Sequence, residues 1–161
     1  MIELTSVLVY GGLVGSGLMA GTFFAFSTFV MRGLAEVPAS EGIRAMQRIN
    51  VTVLNPWFLG VFMGTAGVGL ACVAVGLWWM DGARSVALVG AGGFYVIGTF
   101  GVTVVCNVPM NEALARLEAT TAEAEAYWQR YLRDWVFWNH VRTVAALVSL
   151  VLFGVFLGVG G

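Results

Sequence analysis

Three runs of hydrogen-bonding side chains are the parts of this sequence able to do chemistry. Asn107 and Asn111 bracket Pro109, Asn139 and His140 precede Arg142, and Asn50 and Asn55 follow Arg48. An amide both donates and accepts hydrogen bonds, a guanidinium only donates, and an imidazole titrates near neutrality. Such a set can grip the polar edge of a ligand, and it can also tie helices together. At about 100° per residue, Trp128, Tyr131, Trp135, Trp138, Asn139 and Arg142 share one helical stripe. That stripe reads as a pocket wall, although each aromatic taken singly also reads as an interfacial anchor. His140 is turned about 100° from Asn139 and is expected to face a neighbouring helix. Pro109 has no backbone donor and frees the Val105 carbonyl, so Asn107 and Asn111 can serve freed backbone groups or a ligand.

Other chemistries are excluded. The single His, the two Cys and the nine acids form no set with ligand spacing, so no metal is expected. One His rules out a two-His haem, and nothing supports a His/Met one. There is no glycine-rich phosphate loop, no nucleophile elbow and no pair of intramembrane carboxylates of the sort that proton pumps use. A net charge of −1 and a pI near 5.7 leave no basic face, so nucleic acid is not an expected partner.

The elements that must position these residues follow from composition. Of 161 residues, 59% are apolar and 11% are charged, with 22 Gly besides. A soluble domain of this size needs about 25% charge to cover its surface. The chain is therefore read as one integral membrane domain, 1–161. Four charge-poor runs are each long enough for one crossing of a ~30 Å hydrocarbon core. They predict transmembrane helices near 4–30, 54–79, 86–108 and 139–159. Open strands would leave backbone groups unpaired in lipid, and the runs lack the alternation of a barrel. The expected fold is all-α, a four-helix transmembrane bundle with cytoplasmic helical extensions. The first run carries Glu3 and no basic residue before it, and it is too long for a signal peptide, so it is expected to be retained.

Seven of eight Arg fall in 31–50 and 111–142, and only Arg84 lies on the opposite side. Positive residues stay cytoplasmic. Segments 31–50 and 111–138 are thus expected inside the plasma (bacterial inner) membrane, with both termini outside. Ser40 is expected to cap a short helix presenting Ile43, Met46 and Gln47. Thr120 and Glu123 have capping-box spacing, and helix from 121 to 157 would run roughly 55 Å. Small residues recur four apart at Gly11/Gly15, Gly12/Ser16/Ala20, Gly17/Gly21/Ala25, Gly60/Gly64 and Gly154/Gly158. They predict close helix packing, within the chain or in a homo-oligomer. Cys72 and Cys106 differ in depth by roughly 20 Å, too far for a disulfide. All four spans bring their polar residues, among them Ser27, Thr28 and Arg32 of the first, to the same predicted cytoplasmic depth.

The run Asn107-Val108-Pro109-Met110-Asn111, then Trp135 and Trp138-Asn139-His140-Val141-Arg142-Thr143, resembles the anthrone oxygenase-like (DUF1772) family of small four-span membrane proteins. Gly21-Thr22-Phe23-Phe24-Ala25-Phe26-Ser27 and Gln47-Arg48-Ile49-Asn50 fit the same pattern. The resemblance implies a membrane-embedded oxygenase that uses O2 without a cofactor on a flat aromatic, polyketide-like substrate. It implies Asn107, Asn111, Asn139 and Arg142 as site residues. That chemistry would use His140 as base, Arg142 and Asn139 as oxyanion donors, Asn50, Asn107 and Asn111 as binding groups, and Trp57, Trp135 and Trp138 as stacking surfaces. The alternative is a non-catalytic membrane scaffold or small-molecule-binding protein in which the Asn and Arg groups only join helices. The expected partners are the lipid bilayer, a hydrophobic aromatic molecule with O2, and a second copy through the Gly-xxx-Gly faces.

Overall fold

The computed structural model describes residues 2–159; Met1, Gly160 and Gly161, and with them the ends whose outside placement the arginine count predicts, lie outside the described residues. Five helices follow one another, with no strand among the described residues. Helix α1 runs through Ile2–Ala25, a π-helical turn Phe26–Val30, and Met31–Glu36. Pro38 drives Val37 into an extended conformation and ends it. Helix α2 spans Ala39–Thr52. Ser40, expected as its cap, lies inside it instead, because the Pro38 carbonyl already accepts from the Glu41 and Gly42 amides at 2.8 and 3.1 Å. Helix α3 spans Pro56–Trp79, opened by Asn55, whose side-chain oxygen accepts from the Trp57 and Phe58 amides.

The chain then reverses tightly. Gly82 has φ +62°, a left-handed conformation that favours glycine. Helix α4 comprises Gly82–Gly93, π-helical segments Phe94–Gly101 and Thr103–Asn107, and Val108–Ala115. It passes through Pro109 rather than stopping before it. The wide turn just ahead of Pro109 takes up the lost donor and the ring's clash with the preceding turn. Helix α5 spans Ala122–Gly158, 37 residues. Its cap is Thr121, one residue beyond the expected Thr120, because Thr121 first closes a turn onto the Glu118 carbonyl at 2.8 Å. At 1.5 Å per residue α5 is about 55 Å long and must extend roughly 20 Å beyond a hydrocarbon core.

Four helices are long and apolar enough to cross a membrane: α1, α3, α4 and α5. The chain is an integral membrane protein with an all-α bundle. The four pack as a square in which α1 touches α3 and α5, and α4 touches α3 and α5. Three apolar layers fill it. One, at the end where Arg84 lies over the Phe156 ring, joins Val9, Cys72, Leu88, Ala91, Phe153 and Phe156. The middle layer joins Met19, Phe23, Phe62, Ala66 and Tyr95. The third lies under α2 at the arginine-rich end and joins Met31, Ile43, Met46, Leu114, Trp128, Tyr131 and Trp135. Gln47 secures α2 by donating to the Leu114 and Leu117 carbonyls at 2.9 and 3.0 Å, closing the end of α4. Both cysteines are free.

The small residues divide into two groups. Gly12, Ser16 and Ala20 face α5, where a Cβ on Gly12 would strike Phe153 and the Ser16 hydroxyl meets that of Ser149 at 3.0 Å. Gly69 and Gly92 bring the α3 and α4 backbones together, and a Cβ on Gly92 would strike the Gly69 carbonyl. Gly11, Gly60, Gly64, Gly154 and Gly158 instead meet nothing within 4 Å. The Gly60/Gly64 and Gly154/Gly158 ladders do not pack the bundle, whereas Gly15, next to Gly11, lies against Thr65 of α3. Gly92→Ala should therefore destabilise the protein by about 1–3 kcal/mol through overpacking. Gly60→Ala should change stability by less than about 0.5 kcal/mol. Thermal unfolding of the two variants in detergent checks the pair.

Candidate functional site

Spacings of three and four along α5 put Trp128, Tyr131, Trp135, Asn139 and Arg142 on its buried face, each 5% exposed or less. The first three rings stack, with centroids 5.5 and 5.7 Å apart and planes 17° from parallel. Asn111 of α4 fixes that stack from the side. Its oxygen accepts from the Tyr131 hydroxyl at 2.7 Å and from Trp135 Nε1 at 2.8 Å. One turn earlier Asn107 is fully buried, and its amide nitrogen donates to the Trp135 carbonyl at 3.2 Å.

Asn139 is the hub of the next layer. Its amide nitrogen donates to the Phe23 carbonyl at 2.8 Å and to Ser27 Oγ at 2.7 Å. Ser27 in turn meets Thr143 Oγ1 at 3.1 Å. The π-turn of α1 begins just beyond Phe23, and such turns disturb the regular pairing of nearby carbonyls. The Phe23 carbonyl goes to Asn139, and that of Phe24 to Thr28 Oγ1 at 2.7 Å. The Asn139 oxygen accepts from Arg142 Nη2 at 2.6 Å. Arg142 Nη1 donates to Thr103 Oγ1 at 3.3 Å, in the second π-segment of α4.

The Arg142 guanidinium sits over two rings, 4.3 Å from the Phe23 centroid and 5.1 Å from that of Trp135. Cation–π contacts of this kind contribute about 2 kcal/mol when desolvated. Burying an ion costs several kcal/mol. No carboxylate makes up the difference: the salt bridges among the described residues are Arg116–Glu112 and Arg133–Asp134. Arg142 Nε, Asn107 Oδ1 and Asn50 Nδ2 are buried without any partner. Each such orphan costs about 1–3 kcal/mol unless something outside the chain meets it.

The structure thus gathers Asn107, Asn111, Trp135, Asn139 and Arg142 into one cluster. Asn50, half-buried, borders the Tyr131 hydroxyl. Trp138 is half-buried and packs edge-on to Phe137 at 5.2 Å, outside the stack. His140, expected to face a neighbouring helix, is instead exposed because no helix packs on that side of α5, and Trp57 is 88% exposed at the start of α3. Neither joins the cluster. Sequence reasoning did not single out Phe23, Thr103 and Thr143. Thr143, four residues after Asn139, had a readable signal; Phe23 and Thr103 come from other helices and had none. Among the described residues no three His, Cys, Asp or Glu could hold a metal.

Two hollows border the bundle. A groove of about 490 Å³ opens sideways between α1 and α3, lined by Gly11, Gly15, Gly60, Gly64 and Thr65 among others. It lies away from the polar cluster. A smaller one of about 230 Å³, at Met110, Tyr127, Arg130, Tyr131 and Asp134, sits beside the aromatic stack at the arginine-rich end. It is the nearer of the two to the polar cluster, through Tyr131.

Removing the Asn111 side chain would leave a buried phenol and an indole N–H without acceptors. Asn111→Ala should lose about 1–3 kcal/mol of stability. Asn111→Asp, which keeps the accepting oxygen, should lose less, and chemical unfolding followed by tryptophan emission separates them.

A family model described as anthrone oxygenase matches residues 56–152. The match takes in Asn107, Asn111, Trp135, Asn139 and Arg142, and leaves out α1 and α2. No curated protein and no solved structure matches the chain.

Proposed function

The chain belongs to the anthrone oxygenase family, and from that premise we propose that it is a membrane-embedded oxygenase acting with O2 on a flat aromatic, polyketide-like substrate without a cofactor. The observation that carries this reading is the buried Arg142, held between aromatic faces with one donor unused.

The chemistry suits such a site. An anthrone carries a CH2 between two aromatic rings, opposite a ketone. Loss of one proton gives an electron-rich anion whose negative charge rests on the ketone oxygen. The anion adds O2 at the former CH2 carbon and takes up a proton, forming a hydroperoxide. Loss of water then leaves a second carbonyl, so one O2 oxygen stays in the quinone and the other leaves as water. The protein's part is to stabilise the oxyanion and hold the ring plane. In this proposal Arg142 and Asn139 do the first. Trp135 and Phe23 border the ring, with Asn107 and Asn111 holding Trp135 in place. His140 and Trp57 are left out because both lie on exposed surface. The proton then passes to water rather than to a side-chain base.

Purified protein in air should convert anthrone to anthraquinone faster than empty micelles do. Arg142→Gln should lower the rate by about 10²–10³-fold, the usual cost of an oxyanion donor. Arg133→Gln, exposed and paired with Asp134, should keep the parent rate. A parent protein no faster than empty micelles would sink the reading.

The orientation belongs to the same proposal: the arginine-rich end faces the cytoplasm. A single cysteine introduced by Glu118→Cys, with Cys72 and Cys106 replaced, should react with a membrane-impermeant maleimide only after the cells are opened.

A further inference from the structure

Seven of the eight Arg side chains are exposed, and Arg142 alone is buried, at 5% exposure. None of the nine acids is buried. Asp134, two turns away on the same helix, already pairs with Arg133 at 2.7 Å. The titratable groups facing Arg142 are the Tyr131 phenol and the Cys106 thiol, neither of them a carboxylate. The remaining polar neighbours, Asn139 and Thr103, are neutral. The guanidinium therefore has hydrogen bonds and aromatic faces but no counter-charge. Its Nε has no acceptor at all. A buried cation is ordinarily met by an anion.

We propose that the ligand itself supplies that charge: the cluster binds a flat apolar molecule in its anionic form, as an aryl oxyanion or aryl carboxylate whose charged edge meets Arg142. This rests on the cluster being the substrate site of the preceding subsection, and it adds the charge state in which the molecule is taken. The rings of Phe23 and Trp135, both within 5.1 Å of the guanidinium, favour an aromatic carrier over a hydrated inorganic anion. The unpartnered oxygen of Asn107, which bonds the Trp135 carbonyl with its other end, can take a hydroxyl next to the charged one. An anion arriving already deprotonated also explains why no carboxylate or imidazole joins the cluster.

The test uses the whole protein in phosphatidylcholine nanodiscs, with 2-anthracenecarboxylate and its neutral partner 2-anthracenemethanol as fluorescent probes. The carboxylate should bind about tenfold or more tightly than the alcohol. Arg142→Gln should abolish that preference and Arg142→Lys should retain part of it. Arg133→Gln, exposed on the same helix and paired with Asp134, should leave it unchanged. Thr103→Asp places a carboxylate beside the guanidinium and gives a second arm should Arg142→Gln fail to fold. It should raise the melting temperature while removing carboxylate binding. Equal affinity for the two probes, a preference that survives Thr103→Asp, or displacement by millimolar chloride as effective as by the arylcarboxylate would overturn the proposal. Equal affinity in a protein that still oxidises anthrone would defeat this inference and leave the oxygenase reading standing. Selective carboxylate binding in a protein that never oxidises anthrone would do the reverse.

Discussion

A charged guanidinium inside an apolar bundle constrains everything around it. Arg142 cannot reach water from its place on α5, so its donors must find acceptors inside the chain. Asn139 takes one of them, and Asn139 is itself fixed by the Phe23 carbonyl of α1 and by Ser27. Thr103 of α4 takes another. Three helices are thereby held at one depth by a network in which every distance matters. Interhelical hydrogen bonds among lipid-spanning helices contribute about 0.6–2 kcal/mol each. Specific position, more than total stability, is what such a network provides.

The helices deform to meet it. In α1 the π-turn lies just past Phe23, and in α4 a π-segment carries Thr103 and leads into Pro109. Wide turns of this kind redirect carbonyls and side chains that a regular helix would hide or misalign. Close backbone contacts elsewhere compensate for the looser packing. Gly69 against Gly92 and Gly12 against Phe153 clamp the half of the bundle away from the polar cluster.

Helix α2 and the protruding part of α5 close the arginine-rich end. Ile43 and Met46 rest on Trp128, and Gln47 ties α2 to the last carbonyls of α4. The aromatic stack beneath them is thus buried, with Asn111 as its lateral brace. Beside it lies the small hollow near Tyr131, and one layer deeper the unpaired charge.

Composition and charge-free runs by themselves determined the four spanning helices, because few other structures satisfy a backbone in lipid. Periodicity determined that Trp135, Asn139 and Arg142 share a face, since 3.6 residues per turn leaves little choice within one helix. The same arithmetic turned His140 away from that face, and the structure leaves it exposed. Only the tertiary structure decided which residues of other helices meet them. Phe23, Ser27, Thr103 and Asn107 reach the cluster through the rotation of α1 and α4 about their axes and through the π-turns within them, and neither has a period that can be read along the chain. It also decided that Gly12 and Gly92 pack while Gly60 and Gly154 do not, because a glycine's role depends on the helix opposite it. And it decided that Arg142 has no carboxylate, an absence that becomes meaningful only once every neighbour in space is known.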